Sequence, residues 1–370
     1  MNYLDKQLFA IEGRVKNYPW GSRKTLARHR GEIESDLPEA ELWFGDNSQG
    51  PSLVSGTNMC LDEITGALGE VLPQGQLPFL AKILAVEQSL SLQVHPALED
   101  IPSLQSVCKD QNHKPEMVVA LTEFQAFVGF AEIRNTLAIL ENLNSEKVDR
   151  LITEPLQAGT PVTKILENLL GVADTKNVLT EVRERIANLD PVRGKWMQEL
   201  IDLYAPNLDP LATLLCELVT LQPGESLYLP PKCVHAYLNG TVVEVMANSD
   251  NVIRGGLTHK PIDKSNFLKI VDSRSHIAVR VTPTVTDGYR EWKPPILDFA
   301  LQEFQGSINT ELVVENHSIA FAWQGAIRIS EAASNSEYVD VHHATAAFVA
   351  PGKYTLTGSG SLWVATGKGR

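Results

Sequence analysis

From Ser89 to His95 the chain alternates polar and apolar residues without a break (Ser-Leu-Ser-Leu-Gln-Val-His). A period of two is that of a strand, so Ser91, Gln93 and His95 are expected on one face. Short apolar runs broken by Gly, Pro, Asn and Asp fill residues 1–131, as in Glu41-Leu-Trp-Phe-Gly45 and Pro78-Phe-Leu-Ala-Lys-Ile-Leu84, which is the punctuation of antiparallel β structure. From Glu132 to Leu218 the spacing turns helical: Leu137, Leu140 and Leu143, then Ile165, Leu166, Leu169 and Leu170, then Val178, Val182 and Ile186. Asp190-Pro191 and Asp209-Pro210 read as helix caps followed by proline in the first turn. β spacing returns at Val219, with Thr241 to Ala247 and Ser318 to Trp323 as clear strands.

Candidate chemistry falls on the β segments at both sides of the helical block. Gln93 and His95 share a strand face, and Glu116 heads the apolar run Met117 to Leu121. His235 follows the turn Gln222-Pro-Gly-Glu225 and the strand Leu227 to Pro231, which prolines stop. Imidazole and carboxylate ligands suit zinc, with a position left open for water or substrate. For these residues to meet, 1–131 and 219–270 must fold into one discontinuous metal-binding unit, with 132–218 as a helical insertion. Residues 271–370 repeat the strand-and-turn rhythm of Leu221 to Pro231 without its histidine, and are expected to form a second β barrel without a metal site. His342 and His343 are adjacent, so on a strand they point opposite ways and read as surface residues.

At 370 residues the chain is long enough for two or three structural units. A net charge of −13 and a pI near 5.2 argue against nucleic acid or an anionic membrane as partner, while a local basic pocket can still take a small phosphorylated substrate. Cys60, Cys108, Cys216 and Cys233 are far apart and form no Cys-x-x-Cys pair, so they read as reduced packing residues; Cys233, sharing a face with His235, is a conceivable soft ligand. No basic-then-apolar leader opens the chain and no apolar run approaches membrane-spanning length, so a soluble cytoplasmic protein is expected. Three charges stand out. Glu244 sits inside the apolar run Val242 to Met246, where burial raises a carboxylate's pKa; Lys114 lies two residues before Glu116; Lys82 interrupts Phe79 to Leu84.

Gly224, Pro230, His235 and Asn239 resemble the latter half-motif of cupins, with Gln93, His95 and Glu116 as the first half. More specifically, Asp110-Gln-Asn-His-Lys-Pro-Glu116 and the stretch from His235 to Arg254 look like the two signature segments of the type I mannose-6-phosphate isomerases. Asn17-Tyr-Pro-Trp-Gly21 and Glu41 to Gly45 look like that family's N-terminal landmarks, so the resemblance runs from residue 11 to 263. It implies a mainly β fold of two cupin-type jelly-roll barrels with an inserted α-helical domain. It also implies one zinc ion per chain, held by Gln93, His95, Glu116 and His235. The reaction implied is interconversion of mannose 6-phosphate and fructose 6-phosphate by proton transfer through a cis-enediol, in the carbohydrate metabolism that feeds GDP-mannose. Arg254 is implied as the catalytic arginine, alongside Lys114 and Glu244. Lys82, Ser91 and Lys260 are implied at the phosphate end, with Trp20, Glu41 and Tyr237 lining the pocket.

A monomer acting on a small sugar phosphate is the expected working unit. The chain departs from the family pattern at Cys108 (usually tyrosine), Gly255 (alanine) and His259 (proline), which bears on the shape of the phosphate end. Two other readings compete: an iron-dependent cupin dioxygenase, disfavoured by the glutamine ligand and the lysine and arginine set, and a sugar-binding cupin without turnover.

Overall fold

A computed structural model describes residues 3, 6–69, 72, 75–274, 277–286, 288–332 and 334–368, without the side chains of 334–336. The alternating runs form two antiparallel sheets, one of ten strands and one of nine. The ten-stranded sheet carries the candidate residues. Its backbone is the long strand His235–Ala247, which pairs near its start with Leu92–Val94 and Phe124–Phe130, and further along with Phe79–Val86 and Glu116–Ala120. Gly240 lies between those two halves with φ +116°, and a Cβ there would stand 2.4 Å from the Glu123 carbonyl oxygen, so only glycine permits the turn.

Strand periodicity decides which side chains face the site. Phe79, Ala81 and Ile83 of one strand, Met117 and Val119 of the next and Val243 and Val245 of the long strand are buried in a core between the two sheets. They meet Phe321, Phe348 and Trp363 of the nine-stranded sheet there. The alternate residues Lys82, Glu116 and Glu244 therefore face the opposite side, in the interior of the ten-stranded sheet. Register places Glu244 directly opposite Lys82, and Lys82 directly opposite Trp43.

Leu8–Glu12 and Leu53–Val54, which the sequence reading grouped with the metal-binding unit, hydrogen-bond into the nine-stranded sheet: Leu8–Glu12 runs antiparallel to Thr345–Val349. The physical reason is the stack of Phe9 on Phe348, with ring centroids 4.9 Å apart, a partner that alternation alone does not name. The helical stretch includes Ile133–Leu143, Val162–Leu169, Val178–Arg185 and Pro191–Tyr204, and its apolar faces share one continuous core with Leu92, Val94, Phe127, Val234 and Ala236 of the ten-stranded sheet. Asp190 caps its helix, accepting from the amides of Val192 and Arg193. Asp209 does not, because Leu208 holds the cap position; its buried carboxylate instead accepts the amides of Gly171 and Leu257, tying helices to sheet. Among the described residues, no helix is long and apolar enough to cross a membrane.

Candidate active site

Gln93, at the centre of strand Leu92–Val94, sits across from His235, the first residue of the long strand. One step along, His95 leaves the strand on the same face, and Glu116 opens the strand Glu116–Ala120. Ligand-type atoms of His95, Glu116 and His235 lie within 4.8 Å of one another, and all three residues are buried. His95 Nε2 is 3.1 Å from Glu116 Oε1 and His235 Nε2 is 3.6 Å from Glu116 Oε2. The Gln93 amide is 3.2 Å from His235 Nε2.

Both imidazoles are aimed from behind. His95 Nδ1 donates to the Asn251 carbonyl at 2.7 Å and His235 Nδ1 to the Cys233 carbonyl at 2.9 Å, so each ring turns its Nε2 lone pair toward Glu116. The result is a conflict that a cation resolves. The buried His95 Nε2 has no hydrogen-bond partner and confronts a carboxylate oxygen. Tetrahedral zinc with bonds of about 2.05 Å separates its ligand atoms by about 3.3 Å, close to the spacings here. A half-turn of the Gln93 amide would bring Oε1 to that point and let Nε2 donate to Ser91 Oγ, which now donates to Gln93 Oε1 at 3.1 Å. The four residues fit a divalent ion. Cys233 turns its Sγ to the Val234 carbonyl, and burial raises its thiol's pKa, so it packs as a neutral thiol.

Electrostatics favour the same occupant. Burial, reinforced by Lys114, pushes His95 down to about 4, and burial lowers His235 as well, so both rings are neutral at pH 7. Burial opposes the Glu116 charge, but Lys114 foremost, then His95, outweighs it and holds that carboxyl well below the usual carboxylate range. Lys114 Nζ sits 2.8 Å from Glu116 Oε1, and Tyr237 donates its hydroxyl to Glu116 Oε2 at 3.2 Å. Because the folded pKa values of His95 and Glu116 are both depressed, the metal-free protein is expected to lose stability as pH falls below 6.5. His95 alone accounts for about 3 kcal/mol by pH 4, where the folded-state imidazole is half protonated, at about 1.4 kcal/mol for each pH step between the unfolded and folded values. Urea midpoints at pH 7 and pH 4.5 check this: the drop should shrink in His95→Gln, and an unchanged midpoint in the parent would refute the neutral buried imidazole.

Several sequence-predicted residues take other positions than expected. Lys82 Nζ is 2.9 Å from Glu244 and 3.6 Å from Glu41, and lies over the Trp43 ring at 5.0 Å. Burial by itself would lower its pKa, yet Glu244 and Glu41 outweigh this and the net shift is upward, so Lys82 stands as a charged partner of both carboxylates. Glu244, pushed up to about 7 by burial against the pull of Lys82, is thus paired across the strands. Glu41 accepts from Trp43 Nε1 as well. Tyr237 is 2 % exposed and supports Glu116 rather than forming pocket wall.

At the mouth, Arg254 stands in register opposite Gln93 and is half-buried. Exposed Lys260 lies near it, with Nζ 5.3 Å from the Tyr18 ring centre, and Tyr18 stacks on half-buried Trp20. Among the described residues neither cation has a carboxylate within ion-pair distance. Gly255 leaves room for the Phe267 ring, since a Cβ would lie 2.7 Å from it; His259 stacks obliquely on Tyr204.

Sequence reading missed the support beneath these groups. Asp110 accepts from Ser249 Oγ, the Asp250 amide and Asn251 Nδ2, which holds the Asn251 carbonyl in place behind His95. The polar cluster Asn248-Ser-Asp-Asn251 inside a signature segment is the only sequence signal for it.

A family model for the catalytic domain of type I phosphomannose isomerase matches residues 8–133. The Escherichia coli K12 mannose-6-phosphate isomerase is 31 % identical, over 94 % of this chain and 95 % of its own, and the rat enzyme is 30 % identical over 87 % and 88 %. The chain belongs to the type I mannose-6-phosphate isomerase family. As an isomerase of this type it interconverts mannose 6-phosphate and fructose 6-phosphate. Solved mannose-6-phosphate isomerases agree in fold: the apo form from Salmonella typhimurium superposes with a TM-score of 0.86 at 25 % identity, covering 98 % of this chain. A second, with zinc and yttrium bound, gives 0.87 at 25 % identity and the same coverage of this chain. The mainly β, cupin-type architecture expected from the sequence is the one observed.

Proposed function

We propose that this isomerase works at a single zinc ion per chain held by Gln93, His95, Glu116 and His235. The observation that carries the proposal is the convergence of two imidazole Nε2 atoms on one buried carboxylate, with His95 Nε2 left without a partner. When bound, the ion supplies Lewis-acid stabilisation of the oxygen on which negative charge develops.

The surrounding side chains then divide the proton work. Glu244, with a pKa near 7, takes the C2 proton of the open-chain aldose, and the C2–H electrons become the second bond of a cis-enediolate. Lys114, buried beside Glu116, delivers a proton to O1 and removes one from O2. Glu244 returns its proton to C1, completing the ketose. Lys82 keeps Glu244 and Glu41 fixed on the cavity wall. Arg254 faces the enediolate as a permanent cation, and Lys260 with the Ser91 side of the pocket receives the phosphate. Trp20 and Tyr18 form the outer wall.

Residues 1–131 with 219–270 would serve as the metal-bearing unit, lending two short strands to the unit formed by 271–370, with 132–218 buttressing the metal strands. We take the working protein to be a cytoplasmic monomer that feeds GDP-mannose formation. Four cysteines without a disulfide support the cytoplasmic part of that reading.

Metal-loaded protein incubated with fructose 6-phosphate in D2O is expected to incorporate deuterium at C1, followed by NMR, without oxygen consumption. Zinc at one equivalent with this exchange excludes the oxygenase. Loaded protein that binds the sugar phosphate but exchanges nothing would leave only a binding role.

A further inference from the structure

His113 immediately precedes Lys114, and its side chain leaves the metal-bearing unit altogether. His113 Nε2 lies 2.8 Å from Asp298 Oδ1, and the two residues are 5 % and 4 % exposed. Asp298 belongs to the turn before strand Ala300–Val314 of the nine-stranded sheet. That turn is itself fixed: the Lys368 amide donates to the Leu297 carbonyl at 3.1 Å, and Gly367 passes so close that a Cβ would lie 2.0 Å from the Asp298 carbonyl oxygen.

The segment 112–116 is held from its other side by the ten-stranded sheet. Asn251 Nδ2 donates to the Asn112 carbonyl at 2.8 Å and the Ala247 amide to the Pro115 carbonyl at 3.1 Å. Pro115 has no N–H, so Lys114's neighbour is held to the sheet through its carbonyl alone. His113 also borders a cavity of about 670 Å3 lined by Ala97, Tyr228, Pro230, Lys232 and Ile296, yet remains buried. The contact to Asp298 ties its ring directionally to the nine-stranded sheet.

We propose that His113 and Asp298 are a positioning pair through which the C-terminal sheet sets the placement of Lys114 and Glu116. The inference rests on the roles proposed above for those two residues. It also gives the C-terminal unit, which contributes none of the four proposed ligands, a part in the isomerisation.

The test compares Asp298→Ala, Asp298→Asn and Phe299→Leu in the full-length protein. Asp298→Ala is expected to lower kcat by about 10- to 100-fold with KM moving less than about threefold, and to weaken zinc binding about tenfold in chelator competition, the range seen when outer partners of metal ligands are removed. In the metal-free protein, the amides of residues 113, 114 and 116 to 118 should exchange hydrogen faster. Asp298→Asn, which can still accept a hydrogen bond, should recover most of kcat. Phe299→Leu should lower Tm and leave kcat and zinc affinity near the parent. Parent-like kcat and zinc affinity in Asp298→Ala, or the same losses in Phe299→Leu, would overturn the proposal. A Lys114→Met variant separates the two readings: full turnover there rejects Lys114 as proton carrier, while weakened zinc binding in Asp298→Ala still supports the positioning of Glu116.

Discussion

Replacing His235 by alanine is expected to reduce isomerase turnover by at least about a thousandfold, with zinc content falling from one equivalent to near zero. Among the described residues His235 supplies one of the two imidazole nitrogens at the site, and its described neighbours are engaged elsewhere: Tyr237 already donates to Glu116, and Cys233 turns its thiol to a backbone carbonyl. A carbon acid next to a carbonyl does not ionise at neutral pH at a useful rate unless the oxyanion is stabilised, so losing the ion removes the largest single contribution to the barrier reduction. Chelation of the parent should produce the same loss, reversible on adding zinc. The substitution should be tolerated by the fold, because Glu116 keeps its contacts to Lys114 and Tyr237 and the long strand keeps its pairing with Phe79–Val86 and Glu116–Ala120. Measuring zinc stoichiometry, Tm and turnover on the same preparation checks each step. Retained turnover in a folded, zinc-free His235→Ala protein would refute the metal mechanism.

The shared facing of Gln93 and His95 was legible in the sequence because it depends on periodicity: alternation puts the two on one face whatever the rest of the fold does. The strand is shorter than the alternating run, Leu92–Val94 rather than Ser89 to His95, yet the facing is unchanged. What stayed hidden depends on pairing between distant segments. Lys82 looked like an open cation because its partner Glu244 is 162 residues away and only strand register brings the two together. Leu8–Glu12 alternates as any edge strand does, and nothing local tells it to join Thr345–Val349. Asp209-Pro210 repeats the pattern of Asp190-Pro191, but Leu208 rather than the aspartate stands at the helix start. The carbonyls of Asn251 and Cys233 that orient the two histidines are backbone groups, which residue type does not announce. Of the catalytic candidates, Glu244 and Lys114 were marked by charge in apolar or ligand-adjacent positions, whereas Asp298 carried no such mark.

Arg254 offers the second large effect. Its strand Ile253–Gly256 pairs with Leu92–Val94 so that Arg254 lies opposite Gln93, beside the proposed ion, yet no carboxylate among the described residues neutralises it. Burial lowers its pKa, with Tyr18 pulling the other way, but guanidinium ionises so far above neutrality that it stays charged and cannot serve as a base. A half-buried cation without a protein counterion is costly unless an anion arrives, and both the enediolate and the phosphate are anions. The two are distinguishable by kinetics. Arg254→Met, which keeps the aliphatic bulk, is expected to lower kcat by about 100- to 1,000-fold with a small change in KM, the signature of a contact made chiefly in the transition state. Arg254→Lys should recover part of that loss, since it restores charge without the planar fork. Zinc content should remain at one equivalent in both, because Arg254 is not a ligand. If instead KM for mannose 6-phosphate rose steeply while kcat held, the arginine would be a phosphate anchor, and stabilisation of the enediolate would fall to the metal and Lys114.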